Sequence, residues 1–194
     1  MSDFTYPREE GHMELPVPAQ VVDKNVIVWN PEQGSYIYQL GYFGKPVGIR
    51  KPKSPRFDRP LELTLLEAVF LQEKNIISIY DGELKLSKEA FLEICNERFS
   101  KFEDFYAVYL DLRKKRYIVR PGLKFGTDFA VYRRGPGIDH SPFLISMFPR
   151  KSRIEPIDLV RAGRLATSVR KRYVIATVLS DQQIRYYVFQ WNRP

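Results

Sequence analysis

The 194-residue chain carries 31 Lys plus Arg against 23 Asp plus Glu, a formal charge of +8, with 44% hydrophobic and 14% aromatic residues. That apolar content can build a core and excludes a disordered chain, and the length allows one compact domain or two small ones. No apolar run approaches the roughly 20 residues of a membrane span. The start, MSDFTYPREEGHMELP, lacks the apolar centre of a secretion signal. One cysteine excludes internal disulfides, and with two histidines it leaves too few ligands for a typical zinc site. The expectation is a soluble, cytoplasmic protein with no cofactor and no metal.

In chain order, residues 21–29 and 35–40 are rich in β-branched and aromatic side chains around the turn signals of Asn30 to Gly34, which predicts a hairpin. Residues 44–60 hold six cations, four prolines and two glycines and read as an exposed basic loop, within which Lys45, Lys51 and Lys53 lie. Helical spacing marks residues 61–74, 87–99 and 104–116. Cys95 falls on the apolar side of the second of these, as a buried structural thiol. Beyond it, residues 117–119, 125–132, 143–148, 173–179 and 184–191 read as short strands, with a helix at 157–169. The expected fold is α+β: two small mixed α/β domains, residues 1–99 with the basic loop and 100–194, the latter a mixed sheet with helices.

The charge is uneven. Residues 1–112 hold 13 basic and 18 acidic residues, a net −5, whereas residues 113–194 hold 18 basic and 5 acidic, a net +13. Such concentration favours a polyanionic partner, nucleic acid above all. Within that half, His140 sits in a glycine- and proline-containing loop and can exchange a proton near neutrality, or it is a plain surface histidine. Tyr132 ends a strand beside Arg133 and Arg134; nearby positive charge favours a phenolate base, and packing is the plainer role. Lys171 lies in a cationic run that suits a helix end or a phosphate in its transition state.

The segments Tyr109 to Arg113, Arg116 to Arg120, Gly122-Leu123-Lys124-Phe125-Gly126-Thr127-Asp128-Phe129 and Val131-Tyr132 closely resemble the archaeal tRNA-splicing endonucleases. So do His140-Ser141 and the stretch from Arg164 to Lys171. The resemblance covers about residues 60–194, and its nuclease-like C-terminal domain would be the catalytic one. It implies cleavage of bulge-helix-bulge precursor tRNA at intron boundaries, leaving a 2′,3′-cyclic phosphate and a 5′-hydroxyl. Tyr132 would be the general base, His140 the general acid and Lys171 the stabiliser of the phosphorane-like state, with no metal needed. Arg164 would clamp a flipped-out base, with Trp191 as the opposite jaw.

The loop resembles an insertion of the crenarchaeal catalytic subunit that reaches RNA through a lysine, for which Lys45, Lys51 and Lys53 are candidates. Such subunits pair with a structural subunit as a two-plus-two heterotetramer, while other members form homotetramers. Pairing uses C-terminal strands and an acidic loop, of which Asp181 is the one acid here. Two rival readings stay open: a catalytically inert RNA-binding or scaffold subunit, and a metal-dependent DNA nuclease using carboxylates such as Asp128, Asp139, Glu155, Asp158 and Asp181.

Overall fold

The computed structural model describes residues 13–138, 140–149, 153–168 and 171–189. The chain divides into two compact units, Met1–Phe102 and Glu103–Pro194. The fold is α+β as expected, with one mixed sheet and helices in each unit. Among the described residues no helix is long and apolar enough to cross a membrane.

In the first unit, β1 (Val17–Val22) turns at Asp23 and Lys24 into β2 (Asn25–Val28). There follow α1 (Pro31–Gly41), β3 (Lys45–Pro46), β4 (Leu61–Thr64), α2 (Leu65–Glu73), β5 (Ile77–Asp81), β6 (Leu84–Lys85) and α3 (Lys88–Arg98). The sheet order is β3-β4-β2-β1-β5-β6, antiparallel except that β1 runs parallel to β5. Strand alternation puts Val17, Ala19, Val26, Val28, Leu61, Leu63, Ile77 and Ile79 in the core, each at most 2% exposed.

Three sequence expectations fail here; the first, a strand over 21–29, is broken by the turn at Asp23 and Lys24. Residues 35–40 are helical, not strand. Asn30 accepts hydrogen bonds from the backbone N–H of Glu32 and Gln33 at 2.9 and 3.2 Å, and Pro31 supplies a first-turn φ, so Asn30-Pro31 starts a helix rather than a turn. Gly34 serves close packing: a Cβ there would lie 2.9 Å from the Leu61 Cβ. Residues 61–64 are strand rather than the first turn of a helix. Thr64 closes a capping box with Glu67, and α2 begins only at Leu65.

The basic loop is also less loop-like at its root than expected, because Lys45–Pro46 forms an edge strand on β4, where proline is tolerated. Lys45, Arg50, Lys51, Lys53, Arg56 and Arg59 are all exposed. Polar groups moor its ends. Glu67, 2% exposed, accepts from the N–H of Gly44 at 2.9 Å and from both the N–H and the hydroxyl of Thr64 at 2.9 Å. Ser35 Oγ donates to the Phe57 carbonyl and accepts from its N–H, at 3.2 and 3.0 Å. Cys95 is fully buried, and burial pushes its thiol up to about 12, as a structural cysteine requires.

The second unit contains α4 (Phe102–Lys114), which starts on the boundary residue, then β7 (Ile118–Pro121), a 3-10 turn (Leu123–Phe125), β8 (Phe129–Tyr132), β9 (Phe143–Met147), α5 (Pro156–Ser168), β10 (Arg172–Val178) and β11 (Ile184–Phe189). The sheet order is β11-β10-β9-β8-β7, antiparallel except for the parallel pair β9 and β10. Its core gathers Ala130, Leu144, Ala162, Tyr173 and Ile175. Residues 125–128 are not strand, because Gly122 folds the chain back on itself. A Cβ at Gly122 would lie 2.7 Å from the Thr127 carbonyl oxygen. The edge strand β11 is tied to α4: the Tyr186 hydroxyl donates to Asp111 at 2.6 Å, and Lys115 bridges the same carboxylate at 2.7 Å. Burial, reinforced by Asp111, holds the Tyr186 phenol above its ordinary range.

Glu67→Ala should lower stability by about 2 to 4 kcal/mol in urea unfolding, because the Gly44 and Thr64 amides lose a buried acceptor. Glu67→Gln should recover part of the loss; a neutral Glu67→Ala would show that the carboxylate does not moor the loop.

Candidate active site

Strand direction builds the site. β8 and β9 are antiparallel with Val131 opposite Phe143, so β8 ends where β9 begins. β9 and β10 are parallel with Phe143 opposite Arg172, so β10 begins at that same end. The Arg172 N–H donates to the Pro142 carbonyl at 2.9 Å, extending the pairing past the strands. Three separate stretches therefore arrive at one end of the sheet: Tyr132 as the last residue of β8, His140-Ser141-Pro142 leading into β9, and Lys171 leading into β10.

The contacts there are specific. Lys171 Nζ donates to the Ser141 carbonyl at 2.7 Å and lies 5.4 Å from the centroid of the Phe125 ring. Ser141 is 2% exposed, and its hydroxyl donates to the Phe143 carbonyl at 2.9 Å, which holds the backbone next to His140 in one conformation. Tyr132 is half-buried and packs, with Phe125, against the core of Ala130, Leu144, Ala162, Tyr173 and Ile175. His140, Arg133 and Arg134 are exposed. An imidazole, a phenol and an ammonium are groups that can, respectively, give a proton, take one and stabilise negative charge.

The other candidates come from other segments. Arg164 is exposed on α5, four residues before its end and so about 6 Å along the axis from it. Trp191, like Arg170, lies outside the described residues. Lys45, Lys51 and Lys53 belong to the first unit. Asp181 sits in the turn between β10 and β11, at the opposite end of β10 from Lys171, where its carboxylate accepts from the Gln183 N–H at 3.2 Å. Among the described residues no group of three or more His, Cys, Asp or Glu is placed to hold a metal ion.

Comparison with known proteins finds two family domains along the chain. A family model for the tRNA intron endonuclease N-terminal domain matches residues 17–92, and one for the tRNA intron endonuclease catalytic C-terminal domain matches residues 102–186. A tRNA-splicing endonuclease of Hyperthermus butylicus is 43% identical over 180 residues, covering 92% of this chain and 99% of that protein. Proteins of the same name from Saccharolobus islandicus and Saccharolobus solfataricus are each 42% identical over 179 residues, covering 90% of this chain and 98% of theirs.

The chain belongs to the tRNA-splicing endonuclease family.

In this family member, sequence reasoning passed over two residues at the rim. Ser141 was visible only as the neighbour of His140, and Phe125 only as an apolar letter inside the Gly122 to Phe129 motif. The available signal was the Gly-x-x-x-Gly spacing of Gly122 and Gly126, which marks a tight turn that aims whatever it carries.

At the far end of β8, Asp128 accepts from the Met147 N–H at 2.7 Å. Burial pushes this carboxyl above its ordinary value, and the hydrogen bond opposes the shift. A carboxyl raised in the folded state contributes stability that is fully present below its unfolded pKa and is lost as pH rises through its folded pKa. Asp128→Asn keeps an acceptor for Met147 and removes that loss. Its thermal midpoint should gain on the wild type between acid and neutral pH; a difference independent of pH would show that Asp128 does not titrate in the raised sense.

Proposed function

We propose that this chain cuts precursor tRNA at intron boundaries by attack of a ribose 2′-hydroxyl on the adjoining phosphodiester, giving 2′,3′-cyclic phosphate and 5′-hydroxyl ends. It is an endoribonuclease of tRNA splicing. The carrying observation is the arrival of Tyr132, the His140-Ser141 backbone and Lys171 at one sheet end, with the ammonium bonded to the carbonyl next to His140. In this reading Tyr132 takes the 2′-hydroxyl proton and His140 protonates the departing 5′-oxygen. Lys171 neutralises the extra negative charge on the pentacoordinate phosphorus. The nucleophile is part of the RNA, so a base, an acid and a fixed cation complete the reaction.

Arg164 is the base-stacking cation of the reading, its planar guanidinium exposed near the end of α5, and Trp191 is proposed as the opposing jaw. The exposed lysines Lys45, Lys51 and Lys53 are proposed to reach the RNA, in the cytoplasm. Two cuts in one substrate call for two sites at a fixed separation, which a symmetric assembly supplies. We favour a heterotetramer with a structural subunit over a homotetramer. The edge strand β11, with Tyr187, Val188 and Phe189 exposed, and the exposed Asp181 are the surfaces that suit such pairing.

A precursor tRNA carrying a single 2′-deoxy sugar at each scissile nucleotide should bind with unchanged affinity and stay uncut, in the presence or absence of chelator. Cutting of that substrate ends the 2′-hydroxyl mechanism. His140→Ala should slow single-turnover cleavage by about 100-fold or more while precursor affinity changes by less than about twofold. A cleavage rate like that of the wild type removes His140 from the mechanism. Arg164→Ala should impair cleavage at a bulge more than binding of an unspliced duplex, and equal effects on both would argue against base clamping.

A further inference from the structure

We propose that Phe125 is a positioning residue for the reaction, its ring face fixing the ammonium of Lys171; this rests on the catalytic reading of Lys171 above. A lysine ammonium is a point charge on a flexible four-carbon stem, so something must hold it if it is to meet a transition state at a fixed place. The Ser141 carbonyl takes one of its hydrogens at 2.7 Å. The Phe125 ring, with its centroid 5.4 Å from Nζ, attracts the cation through the negative face of its π system and takes no hydrogen from it. Carbonyl and ring together set both position and direction.

Phe125 is itself held from two sides. Its N–H donates to the Gly122 carbonyl at 2.7 Å, and the turn closes through the Gly126 N–H to the Leu123 carbonyl at 3.0 Å. Its ring packs on the core cluster that also supports Tyr132, so one patch of core supports both the phenol and the ammonium. Lys124 places a second ammonium 5.8 Å from the same ring centroid, and that side chain is exposed. A ring used only to fill space is replaceable by another apolar side chain of similar volume at small cost, whereas a ring used for its π face is not. That difference makes the role testable.

The measurement is single-turnover cleavage of an intron-containing precursor tRNA at saturating enzyme, using the full-length chain in its cleaving assembly. Phe125→Leu and Phe125→Met should each slow cleavage by about tenfold, with precursor Kd within about twofold of wild type, and Phe125→Tyr should restore the rate. In a Lys171→Ala background, Phe125→Leu should cause no further loss, because the cation it positions is gone. Full activity of Phe125→Leu, or losses that multiply in the double variant, would overturn the role of Phe125 and leave the catalytic reading standing. Full activity of Lys171→Ala would instead overturn the catalytic reading and the role of Phe125 with it. Should the leucine and methionine variants fail to fold, proton spectra of the wild type decide. The ε-methylene protons of Lys171 must show an upfield ring-current shift, and unshifted resonances would refute the contact.

Discussion

The parallel pairing of β9 with β10 is the constraint on which the second unit depends. A parallel neighbour cannot be reached by a tight turn, so the chain must cross back over the sheet, and α5 makes that crossing. The return brings Lys171 beside Ser141. Had β10 instead followed β9 as an antiparallel hairpin, it would begin about 17 Å away, at the far end of a five-residue strand. The crossing also carries Arg164 toward the same end of the sheet, because α5 finishes just before Lys171. The +13 charge from residue 113 onward includes these cations, so the attraction for a polyanion and the sheet end that carries Tyr132, His140 and Lys171 belong to one unit.

Hydrogen-bonding side chains do a different job in each unit. In the first, Glu67 and Ser35 spend their hydrogen bonds on Gly44 and Phe57, at the two roots of the cationic loop. A loop moored in this way presents its exposed lysines and arginines from a fixed base. In the second, buried Ser141 fixes the backbone beside His140, and the partly exposed Asp111 ties the edge strand β11 to α4. A buried donor or acceptor left unmade costs more than a made one gains, so these few residues specify geometry out of proportion to their number.

Legibility from sequence followed the clarity of local signals. Ser87 marked the start of α3, and the apolar spacing of Phe105, Val108, Tyr109 and Leu112 marked α4. The reading failed where local composition and tertiary position disagreed. Tyr36, Ile37 and Tyr38 look like strand residues, yet the Asn30-Pro31 start and the fit of Gly34 against Leu61 make them helical. The first four residues of 61–74 share an apolar pattern with the helix that follows, but pairing with β2 draws them into the sheet, and Thr64 starts the helix later. The turn at Gly122 likewise removed residues 125–128 from the strand.

By itself the sequence determined the family and the composition behind it: recognisable motifs that include Tyr132, His140 and Lys171, a charge gathered in the second half, and an α+β fold class. These are local or additive properties, readable from residue identities in order. Only the tertiary structure decided that Tyr132, Ser141 and Lys171 share one sheet end and that the Phe125 ring lies against the Lys171 ammonium. Those facts follow from strand direction and from the packing of side chains far apart in the chain, and no local pattern encodes either.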